Sequence, residues 1–174
     1  MANLLQIEKY LKQKRLPYKI IDLGREVFTV KGVVETGISE DEIVKTLIIR
    51  TPQFLTSRLR VLSEHGSRSD KTGQANDGFK ALAVRGKDRV DFKKVRKIFG
   101  SKSELAKPKE VEKVSKVPVG AVCPILLGIP LIFDRKVMDL KHVNMGSGDL
   151  TKGLEMDLKD LLEAIDKYQV GDLV

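Results

Sequence analysis

Apolar positions recur along the chain at two spacings, three to four residues apart in some stretches and two apart in others, and this predicts an alternation of helices and strands. Leu4, Leu5, Tyr10 and Leu11 mark the inner face of an amphipathic helix from Ala2 to Lys14, with Pro17 just beyond its end. Tyr18 to Leu23 reads as a short strand. Thr29 stands where a cap would begin a helix running to Glu35 and closed by Gly37, and Ser39-Glu40-Asp41-Glu42 has the spacing of a capping box for one further turn. Ile43 to Arg50 then predicts a strand, Phe54 to Leu62 its extension or another strand, and Phe79 to Arg85 the returning partner. Asp91 caps a helix over Phe92–Phe99 that Gly100 ends, with Phe92, Val95, Ile98 and Phe99 as its buried stripe. Pro108 opens a second helix to Val114. Strands follow at Pro130–Asp134, near His142–Met145 and around Leu154–Met156, and a last helix runs from Leu158 to Tyr168 with Asp157 as its cap. The expected fold class is α/β of the α+β type, one mixed unit spanning 1–174.

One position breaks the pattern. In Ile43-Val44-Lys45-Thr46-Leu47-Ile48-Ile49-Arg50, strand alternation puts Ile43, Lys45, Leu47 and Ile49 on one side, so a cation occupies a face otherwise suited to a core. A lysine ammonium enters such a place only with a counter-charge, a hydrogen-bonding ligand or a depressed pKa. Lys45 is therefore a candidate functional residue.

Between Ser63 and Gly78 the periodicity vanishes into Ser, Gly, Arg, Asp and Asn, which predicts a long mobile loop inserted between strands.

Composition narrows the chemistry. A single cysteine, Cys123, excludes an intramolecular disulfide, and with only His65 and His142 beside it a Cys- or His-based metal site is not expected. No cofactor is implied. No apolar run approaches membrane-spanning length, so the expectation is a soluble, cytoplasmic protein without a membrane partner. The formal net charge of +8 is concentrated, because residues 81–116 carry 12 Lys or Arg against 5 Asp or Glu. A localised basic surface points to a polyanion, nucleic acid first, and the outward face of the 92–99 helix offers Lys93, Lys94 and Lys97 as phosphate contacts. A solvated lysine-rich helix face is the competing reading.

Familiar catalytic patterns are missing. Gly146-Ser147-Gly148 has neither dinucleotide-binding spacing nor the form of a serine nucleophile elbow. Two weaker features remain: Gly120-Ala121-Val122-Cys123-Pro124, where glycine admits a ligand close to the backbone, and the Gly146-Ser147-Gly148 turn.

Taken in order, Val44-Lys45-Thr46-Leu47, Asp91-Phe92-Lys93-Lys94-Val95, Gly120 to Pro124, Ile129 to Asp134, Gly146-Ser147-Gly148 and Gly153-Leu154-Glu155 resemble the YbaK and prolyl-tRNA synthetase editing-domain family, over roughly residues 2–166. The resemblance implies a mostly antiparallel mixed sheet enclosed by helices. It also implies a free-standing hydrolase that deacylates mischarged aminoacyl-tRNA, most often alanine or cysteine on tRNA for proline, with tRNA and prolyl-tRNA synthetase as partners. Its lysine falls on Lys45 and its glycine loop on Gly120, which are the implied catalytic pair. Lys45 would engage the terminal adenosine phosphate or the substrate carbonyl. Thr29, Ala121, Val122, Cys123, Pro124, Gly146, Ser147, Gly148 and Glu155 are the implied substrate contacts. The chain departs from the pattern at Leu23, where some members have tyrosine, at Glu155, where some have aspartate, and at Thr151 and Lys152, where the synthetase domains carry histidine. A non-catalytic tRNA- or partner-binding module and a small-molecule hydrolase or ligand-binding protein are the other classes open at this point.

Overall fold

The computed structural model describes residues 3–51 and 78–174. The expected strand at Phe54–Leu62 and the expected mobile loop, apart from Gly78, lie outside them. The first helix, α1 (Leu4–Lys14), is begun by Asn3, whose side chain accepts the Gln6 N–H at 3.0 Å. Its buried residues are Ile7 and Leu11, whereas Leu5 is 77% exposed, so the inner face is rotated from the one the spacing predicted. Strand β1 (Lys19–Asp22) and the short helix α2 (Val30–Val34) follow. Thr29 does cap α2, accepting from the Gly32 N–H at 3.2 Å, but Ser39 makes no capping bond to the 3-10 turn Glu40–Glu42.

Strands β2 (Val44–Arg50) and β3 (Phe79–Arg85) pair antiparallel, with Lys45 opposite Val84 and Thr46 opposite Ala83. Next come α3 (Phe92–Phe99), capped by Asp91 and ended by Gly100 in the left-handed conformation, then β4 (Glu104–Leu105) and α4 (Pro108–Ser115). The rest of the chain supplies β5 (Leu131–Asp134), β6 (His142–Gly146), β7 (Lys152–Asp157), α5 (Leu158–Ala164) and β8 (Gln169–Gly171). The final helix thus stops at Ala164, four residues before the predicted end. The residues beyond it form β8, parallel to β5. Asp157 contributes no side-chain cap to α5; its carboxylate lies 2.6 Å from His142 Nδ1 across the β6–β7 ladder.

The strands form two sheets, an antiparallel one ordered β1-β7-β6 and a mixed one ordered β4-β2-β3-β5-β8. Among the described residues one isolated parallel bridge, Ile43 to Asn144, links their backbones. Alternation along β2 and β3 serves two cores. Val44, Ile48, Ala81 and Ala83 belong to the main core with α1, α4, α5 and the antiparallel sheet. Ile49, Leu82 and Val84 pack with Val95 of α3, Ile132 and Leu173, with Leu47 alongside. A strand buried on both faces reads as a near-continuous apolar run, which is why Val44 to Ile49 is interrupted only by Lys45 and Thr46. Ile98, predicted to join the stripe of α3, is 41% exposed. Among the described residues no helix is long and apolar enough to cross a membrane.

Candidate functional site

A cavity of about 240 Å³ opens where the two sheets part, beside the first half of β2. Its wall includes Thr29, Lys45, Gly120, Val122 and Gly146, five residues singled out from the sequence and drawn from four distant segments. Two glycines make the assembly possible. Gly120 has φ +97, and a Cβ there would lie 2.8 Å from Phe28 Cα and 3.0 Å from the Val27 carbonyl oxygen. At Gly146 a Cβ would lie 2.5 Å from the Val122 oxygen, and the Gly148 N–H donates to the Ala121 carbonyl at 2.8 Å. The glycine turn and the 120–124 loop are therefore packed backbone to backbone, closer than any side chain permits.

The loop leaves donors free. The Ala121 N–H is bonded to the Pro118 carbonyl, but the Gly120 and Val122 N–H groups have no partner among the described residues, and both residues line the cavity. Lys45 lines it too. Its ammonium donates to the carbonyl of Gly86 at 2.9 Å and to that of Asp88, just before α3. The partner demanded by a cation on an apolar face is thus a pair of backbone carbonyls. Burial lowers the pKa of Lys45 from its ordinary 10.5, with the nearby Asp88 charge opposing that shift and Arg89 reinforcing it.

Other expected contacts stand off the wall. Ala121, Cys123 and Pro124 are buried beneath the loop. Ser147 is fully enclosed and donates to the Lys152 carbonyl at 2.7 Å, so it pins the turn and Gly148 closes it. Glu155 sits on β7 opposite Lys19 and Asn144 and is not part of the wall. Burial pushes the Cys123 thiol up to about 12. Iodoacetamide at pH 8 should accordingly leave native Cys123 unlabelled and modify it only after unfolding, a difference read by intact-mass spectrometry.

Several wall residues have no counterpart among those expected from the sequence. Phe28, 53% exposed, stands at the cavity beside Gly120, with Val119 (41% exposed) nearby. Asn144 is 3% exposed on β6, and among the described residues its Nδ2 has no hydrogen-bond partner, nor does the buried Thr46 Oγ1. Gly153 makes room for the Asn144 carboxamide, since a Cβ there would be 3.1 Å from Oδ1. Asp149 is the remaining carboxylate on the wall; the Thr151 N–H and hydroxyl, both at 2.7 Å, hold its pKa below the ordinary range. The signal that could have found Asn144 is the one that found Lys45, a polar residue between Val143 and Met145 in a strand whose neighbours are buried. Among the described residues no group of three or more His, Cys, Asp or Glu is arranged to hold a metal ion.

Compared with known proteins, residues 26–164 match the model of the aminoacyl-tRNA editing domain, a span that contains every wall residue except Leu23. The chain belongs to the aminoacyl-tRNA editing domain family. Comparison with curated protein sequences gives no significant match. Among solved structures, the crystal structure of the hypothetical protein APE2540 superposes with a TM-score of 0.73 at 26% identity, covering 96% of this chain and 97% of the other. A candidate trans-editing enzyme for prolyl tRNA synthetase gives 0.72 at 21% identity, covering 98% and 95%. A candidate signal transduction protein from Marinobacter aquaeolei VT8 gives 0.61 at 19% identity over 96% of this chain but 30% of its own length. These likenesses establish the editing-domain fold across nearly the whole chain, including α1 and β1 before the matched span.

Proposed function

We propose that this editing domain is an aminoacyl-tRNA deacylase acting in trans, and that its best substrates are alanyl- or cysteinyl-tRNA for proline. The observation carrying this reading is the cavity wall on which Lys45, the Gly120 loop and the Gly146 turn meet in a chain of the editing-domain family. An aminoacyl ester is already activated, so no side-chain nucleophile is required. The free N–H groups of Gly120 and Val122 receive the carbonyl oxygen as it becomes an oxyanion, and each such donor is worth about 10² to 10³ in rate. A water molecule oriented by the vicinal ribose hydroxyl attacks the carbonyl carbon, the acyl C–O bond breaks, and the amino acid leaves with the water oxygen while a proton passes to the ribose oxygen. Lys45 spends two of its three N–H bonds on carbonyls and has one left for the substrate, in the role of an electrostatic group rather than a base. Thr29, at the start of α2, and Phe28 border the space left for the terminal nucleoside.

The decisive experiment measures deacylation of tRNA for proline charged with alanine, cysteine, serine or proline. The expected result is rapid loss of alanine or cysteine with proline spared; cleavage of none above the buffer rate overturns the reading.

The tRNA body is assigned to the exposed face of α3. Lys93 and Lys97 project into solvent, whereas the ammonium of Lys94 is held by Asp172 at 2.8 Å and by the Val174 carbonyl. The double variant Lys93→Glu/Lys97→Glu should weaken tRNA binding and flatten the slope of log K against log salt by about 1 for each phosphate no longer neutralised. Lys94→Glu should instead lower the melting temperature by releasing the C-terminal residues. Filter binding across salt concentrations and a thermal melt separate the two.

A further inference from the structure

The edge of β2 that borders the cavity is an open strand edge, and its direction can be worked out. On one side, the Ile43 carbonyl accepts from the Gly86 N–H at 2.7 Å and the Thr51 N–H donates to the Gly78 carbonyl at 2.7 Å, so the odd-numbered residues turn their peptide groups toward β3. On the other side, the Ile48 carbonyl accepts from the Ala106 N–H at 2.9 Å, so the even-numbered residues turn theirs away from β3. Cover on that outer edge is incomplete. Strand β4 reaches only Ile49 and Arg50, and the bridge to Asn144 is at Ile43. Thr46 lies in the gap and lines the cavity, and among the described residues no ladder or bridge pairs it on that edge.

An unpaired peptide carbonyl at a cavity wall is an acceptor waiting for a donor. Asp149, a carboxylate on the same wall, offers a cationic donor a counter-charge. Of the ionisable side chains on the wall, Lys45 is turned to two carbonyls, Lys152 is bonded to Asp22, and Asp149 is an anion with one carboxylate oxygen bonded to Thr151. We infer that the Thr46 carbonyl receives the α-ammonium of the acyl group, so that the cavity selects α-amino acyl esters from other acyl esters. This rests on the deacylase reading and deepens it. The acyl group then lies against β2 as a one-residue strand would, its ammonium donating to Thr46 while the 120–122 loop holds its carbonyl. Recognition by the main chain is indifferent to the amino acid side chain, which leaves the choice among amino acids to the apolar part of the wall.

The test uses the full chain and tRNA for proline acylated with alanine, with lactate, which keeps an O–H donor in place of the ammonium, and with propionate, which has none. Each rate is divided by that of the same ester in buffer, because the ammonium itself activates the ester. The expected order is alanyl, then lactyl, then propionyl, with the propionyl enhancement about 10- to 100-fold below the alanyl one. Equal enhancement for alanyl and propionyl esters overturns the inference and leaves the deacylase reading standing, whereas cleavage of none overturns both. A binding readout assigns the acceptor. Adding the non-cleavable 3′-alanylamido analogue of adenosine should shift the Thr46 carbonyl ¹³C resonance, and the 3′-propionylamido analogue should shift it much less. No shift with the alanyl analogue, or the same shift with both, removes Thr46 from the role.

Discussion

Gly120→Ala should lower the deacylation rate by about 10² to 10³, the value of a displaced oxyanion donor. The reason is steric before it is chemical. With φ +97 and a Cβ aimed at the main chain of Val27 and Phe28, an alanine at 120 must push the loop off that segment, carrying the Gly120 and Val122 N–H groups with it. Backbone strain of about 1–3 kcal/mol adds a loss of stability. Gly128→Ala is the matched control, since Gly128 also has positive φ, at +74, in the same connecting segment, but a Cβ there meets nothing within 4 Å. It should cost stability and leave kcat/KM for alanyl-tRNA unchanged. Steady-state deacylation with thermal melts of both variants decides; equal rate losses would mean that the contact between loop and Phe28 is irrelevant to the chemistry.

Lys45→Met should reduce kcat/KM by about 10²-fold while moving the melting temperature at neutral pH by no more than a few degrees. Methionine fills the same stem and abandons the Gly86 and Asp88 carbonyls, but it also removes the cost of desolvating an ammonium, and these effects oppose each other. Lys45→Arg should not restore activity, because a planar fork cannot occupy the position of a compact ammonium bonded to two carbonyls. The pH dependence has a definite sign. Burial places the folded-state pKa of Lys45 below the unfolded value, so between the two the unfolded chain binds more protons and stability rises with pH. Wild type should therefore gain stability relative to Lys45→Met as pH climbs through that window toward 10.5, a comparison made by urea denaturation at each pH.

Much of the site is legible in the sequence because its informative residues violate a local rule. Lys45 stands out as a cation in an apolar strand, and the glycines at 120 and 146 as positions where a backbone needs room. Asn144 obeys the same logic but is harder to see, since a lone amide in a strand is less conspicuous than a charge. The rest depends on contacts between distant segments. Phe28 matters because Gly120 lies against its backbone, a relation that no spacing in either segment encodes. The two shortest strands, Glu104–Leu105 and Gln169–Gly171, offer too few residues for any period to show, and they are strands only because β2 and β5 present edges to them. In α1 the apolar set Leu4, Leu5, Ile7, Tyr10 and Leu11 fits two helix faces, and packing against the sheet chose the one with Ile7.

The bridge between Ile43 and Asn144 gives the molecule a mechanical character. Among the described residues the backbone link between the sheets is one bridge above a shared apolar core, and with cavity walls contributed by both sheets a ligand there would add a further link between them. Occupancy would then be felt by the whole fold rather than by a loop. Thermal denaturation with a non-cleavable aminoacyl-adenosine analogue would register binding as a shift of the single global transition, growing as RT ln(1 + [L]/Kd).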